Sequence, residues 1–189
     1  MTRQVYAFEP PERFVAGTVG PPGDRVFYLQ AKGGGRLVSV VLEKVQVTLL
    51  AEKLEELLGE AHRRFGLVLP ERVPDEPDNE PLDSPVDEEF RVGTLGLAFD
   101  VDTSTVVIEA IAAGEGEAEA EAEVEEPEEV EEENADLDRL RVRLTPAATR
   151  EFIDRAKRVI AAGRPPCPLC GGPLDPRGHL CPRHNGYHR

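Results

Sequence analysis

The residue types whose spacing states a chemistry sit at the C-terminal end, in CPLCGGPLDPRGHLCPRHNGYHR, residues 167–189, which holds all three cysteines of the chain. Cys167 and Cys170 are separated by two residues, so a tight turn can aim both thiolates at one ion. The glycines that follow let backbone amides approach the sulfurs. Cys181 opens CPRH, which mirrors the first turn with His184 in the place of a second cysteine. The pattern predicts three thiolates and one imidazole, an accepted set for structural zinc. His179, two residues before Cys181, competes with His184 for the fourth position, and His188 is a weaker third choice. A redox dithiol is the rival chemistry, but it expects the pair at a helix N-terminus. Here RPP precedes and GGP follows, so no helix is expected to start there. A tail this poor in large apolar residues needs the ion to fold, which predicts one structural zinc per chain.

Other candidate groups have ordinary readings. Asp100 and Asp102, in FDVDTST, could hold a divalent ion, yet Asp and Thr are common turn formers at a hairpin. His62 stands on a helix with no second His or Cys nearby in sequence. No nucleophile, base and charge-stabilising group can be assembled from the sequence, so no catalytic residues are assigned. Arg183, Asn185, Tyr187 and His188 surround the cysteine module and could grip a phosphate or a carboxylate, and Arg164, Arg177, Arg183 and Arg189, with Tyr187 for stacking, could contact a nucleic acid.

The elements that would position this module come before it. VFYLQA and RLVSVVLE read as strands joined at Gly33, Gly34 and Gly35, and no phosphate-loop Lys follows those glycines. From Thr48, expected as a cap, Leu50, Leu54, Leu57, Leu58, Ala61 and Phe65 repeat at helical spacing. A second helix is expected after Thr145 and Pro146, with Phe152, Ile153, Ala156, Val159 and Ile160 on its apolar face. FVAGTVG at 14–20 is echoed by FRVGTLG at 90–96, and each echo leads through strands into a helix. The glycines of the echo, Gly17 and Gly20 with Gly93 and Gly96, are expected at bends or bulges. The predicted fold is α+β: a mostly antiparallel sheet from two pseudo-repeated β-β-β-α units, plus a small C-terminal zinc-ribbon-like module. One continuous sheet with helices on a face is preferred to a curled half-barrel.

Charge divides the chain further. The formal net charge is −15, but residues 115–138 carry fourteen acids and no Lys or Arg. Without them 22 basic residues face 23 acidic ones, and residues 150–189 alone are net +5. The expected organisation is a main domain over residues 1–163 and a zinc-binding module over 164–189. Within the first, the Pro-rich acidic stretch 70–89 is expected as an exposed loop, and 114–138 as a disordered acidic insertion in a hairpin. No apolar run is long enough to span a membrane, and the N-terminal residues lack the pattern of a signal peptide, so a cytoplasmic protein is expected. Whole-chain acidity argues against general nucleic-acid binding, although the basic tail alone would tolerate it.

The ending CPLC, PLDP, GH, CPR and NGY, with LTPAATREFIDRAKRVIAAGRPP before it and VYAFEPPERFVAGTVGPPGDRVFYLQA at the start, resembles an uncharacterised family of actinobacterial proteins of about this length. The resemblance spans nearly the whole chain apart from the acidic insertion. Its shared tail includes His179 and does not require a histidine at 184, so it implies His179 as a ligand of equal standing. It implies no activity. The expected role is a non-catalytic adapter with a protein partner. The alternatives are an enzyme acting on a small phosphorylated or carboxylated metabolite, and a nucleic-acid binder using the basic tail.

Overall fold

A computed structural model describes residues 2–69, 76–114, 136–174 and 178–183, together with the backbone of 124–125. Ten elements follow one another: β1 (Val5–Phe8), β2 (Arg13–Val19), β3 (Val26–Gly33), β4 (Arg36–Leu42), α1 (Lys44–Phe65), β5 (Glu88–Asp100), β6 (Thr105–Ala112), β7 (Val124–Glu125), β8 (Arg139–Leu144) and α2 (Pro146–Ala161).

The fold is α+β, and its sheet is mixed but mostly antiparallel. The strand order is β1-β8-β6-β5-β4-β3-β2, with β7 beside β5. The pseudo-repeat is visible in the pairing. β2, β3 and β4 form one antiparallel meander that leads into α1, and β5, β6 and β8 form a second that leads into α2. The units meet where β4 runs parallel to the start of β5, pairing Ser39 with Glu88 and Val41 with Arg91. The same relation recurs at the other end, where β1 runs parallel to β8. β1 and β2 together therefore occupy the place that the single thirteen-residue β5 holds in the second unit.

That equivalence bends the sheet. β1 and β2 lie at opposite ends of the strand path, yet only residues 9–12 join them. Such a link reaches at most ~17 Å, whereas seven flat strands would separate their ends by roughly 29 Å. The sheet is continuous, as expected, and curls until its ends approach. Arg36 of β4 donates to the Ala7 carbonyl at 2.7 Å and lies over the Phe8 ring, and the Glu12 amide donates to the Lys32 carbonyl at 2.8 Å.

Strand alternation then fixes the core. Ala16, Leu29, Val40, Val106, Ile108 and Val142 point to the face shared with both helices, each at most 1% exposed. Leu50, Leu54 and Leu58 of α1 and Phe152, Ile153 and Ala156 of α2 complete that cluster. Phe14 stacks on Phe152 at 4.7 Å, tying β2 to α2. Phe65, placed on the apolar stripe by its spacing, is half exposed but stacks on Phe99.

Local signals explain most boundaries. Gly34 and Gly35 form the β3–β4 turn with φ of +58° and +74°, the two left-handed positions that a two-residue hairpin demands. Gly93 lies where the β5–β6 register shifts, and a Cβ there would sit 2.8 Å from the Ala113 backbone. Thr145 caps α2 by accepting the Ala148 amide at 3.1 Å. Thr48 does not cap α1. The helix starts a turn earlier, because the Gln46 side chain accepts the Glu43 amide at 2.8 Å and closes the N-terminus there. Thr48 instead donates to the Lys44 carbonyl inside the first turn.

The hairpin around the acidic insertion is also observed. β6 and β8 pair antiparallel up to Ile111 and Arg139, and the Ala112 amide donates to the Asp138 carbonyl. Most of the insertion itself lies outside the described residues. Between the strands Glu109 is buried against Arg139 and Arg141, at 3.2 and 2.6 Å.

Candidate metal centre and its surroundings

After α2 the chain passes through residues 162–166 and turns back on itself. Pro166 and Pro173 form an isolated antiparallel bridge, and the Leu174 amide donates to the Pro165 carbonyl at 2.9 Å. Inside this loop the Gly171 amide bonds to the Cys167 carbonyl at 2.8 Å, and the Cys167 amide bonds to the Gly172 carbonyl at 2.7 Å. Gly171 takes φ +72°, which a side chain would oppose. The result is a knuckle that turns both sulfurs of CPLC to one side.

Cys167, Cys170, His179 and Cys181 bring their ligand atoms within 4.8 Å of one another. The sulfurs of Cys167 and Cys181 lie 3.9 Å apart, and Cys170 Sγ lies 3.2 Å from His179 Nε2. A tetrahedral ion with zinc–sulfur bonds would separate its ligand atoms by about 3.8 Å. The donors therefore have the chemistry and the spacing to hold a metal ion. Cys167 and Cys181 are buried, and the other two ligands are half-buried.

Amides tune the thiols. Those of Cys170 and Leu169 donate to the Cys167 sulfur and, with the adjacent thiols, lower its pKa to about 6. The Gly172 amide acts in the same sense on Cys170, but burial and the neighbouring cysteines outweigh it and raise that thiol. Three sulfurs this close favour one thiolate among themselves, and a cation would favour all three. The approach of the amide depends on Gly172, where an added Cβ would lie 3.4 Å from Cys170 Sγ and 3.6 Å from the His179 ring.

Of the two alternative fourth ligands, the structure brings His179 to the sulfurs. His184 lies outside the described residues, as do Arg177, Tyr187, His188 and Arg189. The other sequence candidates are engaged elsewhere. Asp100 accepts the amides of Asp102 and Thr103 through Oδ1, and Arg143 donates to its Oδ2 at 2.8 Å. The Arg143 bond leads the interactions that hold its carboxyl below the usual range. This is turn chemistry, as expected. His62 Nδ1 meets the Leu67 carbonyl at 2.7 Å, just past the end of α1.

The family comparison can now be read beside this geometry. A protein family described as "Protein of unknown function (DUF3090)" matches residues 6–181, which include the sheet, both helices and all four clustered ligands. The chain belongs to the DUF3090 family. Neither the curated proteins nor the solved structures yielded a match to this DUF3090 chain. No helix among its described residues is long and apolar enough to cross a membrane.

One arrangement in this family member has no local sequence signal. Residues 76–87, read as exposed loop, carry neither helix nor strand and are mostly exposed, yet they are strapped across β2 and β3. Arg13 donates to Asp78 at 2.7 Å and to Asp83 at 2.9 Å, and Lys32 reaches Asp83 at 3.1 Å. Buried Gln30 accepts the Asp83 amide at 2.7 Å and donates to the Asp83 carbonyl at 3.0 Å. Arg155 of α2 donates to the Ala16 carbonyl, to both oxygen types of Asp78 and to the Glu80 carbonyl. Leu82 fills the space above Gly17, where an added Cβ would come within 2.5 Å of its side chain. Beside this strap, a cavity of about 450 Å³ opens between β2 and α2. Its charged walls include Arg13, Asp78 and Arg155, which already satisfy one another.

Proposed function

We propose that the chain is a non-catalytic interaction or adapter protein, with an α+β body over residues 1–163 and a C-terminal module over 164–189 held by one structural zinc ion. Cys167, Cys170, His179 and Cys181 are the ligands in this reading. The observation that carries it is the closed donor set, four ligand atoms within 4.8 Å of one another. Four protein ligands leave no coordination position for a substrate, which is the signature of a structural site. Bound zinc would supply the cross-link that a tail with few large apolar side chains lacks. The turn role of Asp100 and the capping role of His62 also favour the non-catalytic reading. The charge contrast supports an adapter: a basic C-terminal part rides on an acidic chain and presents a rigid knuckle to a protein partner.

Two measurements test this. Protein purified without chelator should contain one equivalent of zinc by elemental analysis and native mass spectrometry. Metal-free protein that shows the same ordered amides at residues 165–181 would overturn the structural role. Crosslinking in the native cell, compared between the intact chain and one ending at residue 163, should lose a specific protein partner with the tail. Identical crosslinks in both would overturn the adapter role and leave the zinc site standing.

A further inference from the structure

The cavity of about 450 Å³ between β2 and α2 has no part in the cysteine module. Its floor is apolar: Phe14 of β2, Leu144 at the end of β8, and Ala148 and Phe152 of α2 line it, and the two rings stack on each other. Its charged walls do not balance. Four carboxylates line it, from Glu12, Asp78, Glu151 and Asp154, against three guanidiniums, from Arg13, Arg155 and Arg158, which leaves a net charge of −1.

All three guanidiniums are committed to the strap. Arg13 holds Asp78 and Asp83, Arg155 donates to Asp78 and to the Glu80 carbonyl, and Arg158 donates to the Asp78 carbonyl at 3.2 Å. Among the described residues no ion pair engages Glu12, Glu151 or Asp154. Glu151 and Asp154 stand three positions apart on α2, so they share a face and repel each other. Glu12 adds a third negative charge from the connection between β1 and β2. Asp154 is half-buried, where solvent and salt screen its charge less than at the exposed pair.

We propose that this cavity binds a small organic amine, an ammonium group carried on an apolar body. The ammonium donates to Asp154 and Glu151 of α2, with Glu12 on the β2 side, and the body covers the floor made by Phe14, Leu144, Ala148 and Phe152. The charge imbalance selects this class. An anion would meet three carboxylates, and the guanidiniums that could receive it already hold the strap. A hydrated inorganic cation would gain nothing from the apolar floor. An ammonium on a hydrocarbon frame gains charge-assisted hydrogen bonds, apolar burial and the attraction of aromatic faces for a cation. The volume suits a small molecule. The proposal does not depend on what fills the cysteine cluster.

The test is calorimetric titration of the full chain with phenethylamine at physiological salt, which screens the diffuse attraction of the acidic tract. Three controls take the probe apart. Phenethyl alcohol keeps the body without the charge, phenylacetate reverses the charge, and methylamine keeps the charge without the body. One saturable site is expected for phenethylamine, roughly tenfold tighter than for phenethyl alcohol, the scale of one charge-assisted hydrogen bond. Phenylacetate and methylamine should not bind. Asp154→Asn should remove that tenfold advantage and leave phenethyl alcohol unchanged. Ala148→Leu fills part of the cavity with every charge in place, and it should remove binding of both. Glu52→Gln, exposed on α1, should change neither. Thermal unfolding of each variant distinguishes lost binding from lost fold, and Glu151→Gln, at an exposed position, carries the charge test if Asp154→Asn does not fold. The proposal is overturned if phenethylamine does not saturate, or if any control binds as tightly. It is also overturned if the charge variant binds like the parent, or if binding survives Ala148→Leu unchanged.

Discussion

Two segments of this molecule, the strap at 76–87 and the knuckle at 165–174 and 178–181, are about equally poor in large apolar side chains, and they differ in what they offer to hold them: charge pairing in the first, a set of metal donors in the second. The strap is a row of acids and prolines with one short internal bond, from the Glu80 amide to Asp78, and most of its anchors belong to the body, among them Arg13, Gln30, Lys32, Arg155 and Arg158. The knuckle can bring its own closure, because four donors within fifteen consecutive positions of the chain can be drawn together by one ion. Charge pairing with a preformed surface adds small, screened increments. Coordination to one ion is close to all-or-none. The comparison predicts a strap that loosens by degrees and a knuckle that is lost at a stroke.

The largest effect should come from breaking the coordination set. If zinc fills the cluster as proposed, Cys181→Ser removes one of its four ligands and a chelator removes the ion. In zinc-finger peptides the ion contributes on the order of 10–16 kcal/mol, far more than this short segment could replace. Amide exchange at 165–181 should collapse in both cases, while the unfolding transition of the body moves by less than ~1 kcal/mol if the knuckle is an appendage. A body transition that falls with the knuckle would show instead that the two are one cooperative unit.

The strap should respond less, and at one residue above all. Arg155 is 7% exposed and ties three regions together through the Ala16 carbonyl, Asp78 and the Glu80 carbonyl. Arg155→Ala leaves the buried Ala16 carbonyl without its donor, while Asp78 and Glu80 remain open to water. A buried acceptor left unpaired typically costs about 1–3 kcal/mol. Asp78→Asn keeps the volume and Arg13 retains Asp83, so its cost should be about 1 kcal/mol or less. Denaturant unfolding of both variants checks the order. Equal losses would mean that Arg155 serves the strap alone and not the packing of α2 on β2.

These contrasts also show what the sequence could and could not state. The apolar period from Leu50 to Leu58, Thr145 before Pro146, and the glycines at 34 and 35 are local rules obeyed locally, and the elements follow them. The echo of FVAGTVG in FRVGTLG was legible as a pseudo-repeat because both copies face the same demand. Gly17 lies under Leu82 and Gly93 lies under Ala113, so neither site has room for a side chain. Which histidine completes the donor set was left open by the sequence. Symmetry of CPLC and CPRH pointed to His184, which lies outside the described residues, and the family resemblance gave equal standing to His179, which the structure places beside Cys170. The strap was hidden for a sharper reason. Its acids are 65 residues from Arg13 and 77 from Arg155, so composition alone described a solvated loop. A curled half-barrel was the alternative set aside for a continuous sheet, and the structure combines the two, because β1 and β2 pair with strands at opposite ends of the path.

Acid should separate the two segments in order, by the smallest perturbation considered. Cys167 is held by the Cys170 and Leu169 amides at a pKa of about 6, below an ordinary thiol. An acid whose folded pKa is depressed stabilises the fold above its unfolded value, and that contribution is lost as pH falls through the folded one. At the knuckle, protons compete with a bound cation first at Cys170, whose thiol is raised, and below about pH 6 at Cys167 as well. The strap obeys the same sign at lower pH. The Arg13 bond leads the interactions that push both Asp78 and Asp83 below the usual carboxylate range, and Lys32 adds to the effect at Asp83. Their contribution is intact above the ordinary carboxylate pKa of about 3.9, and it is lost only as pH falls beyond that. Titration from pH 7 to 3 should release zinc, read by a chromogenic chelator, before amide exchange at 76–87 accelerates. Raising salt at pH 5 should quicken exchange in the strap and leave the metal in place, because exposed ion pairs are screened and coordinate bonds are not. If acid down to pH 3 leaves exchange at 76–87 unchanged, amides and not arginines hold the strap, and its likeness to a charge-tethered segment fails.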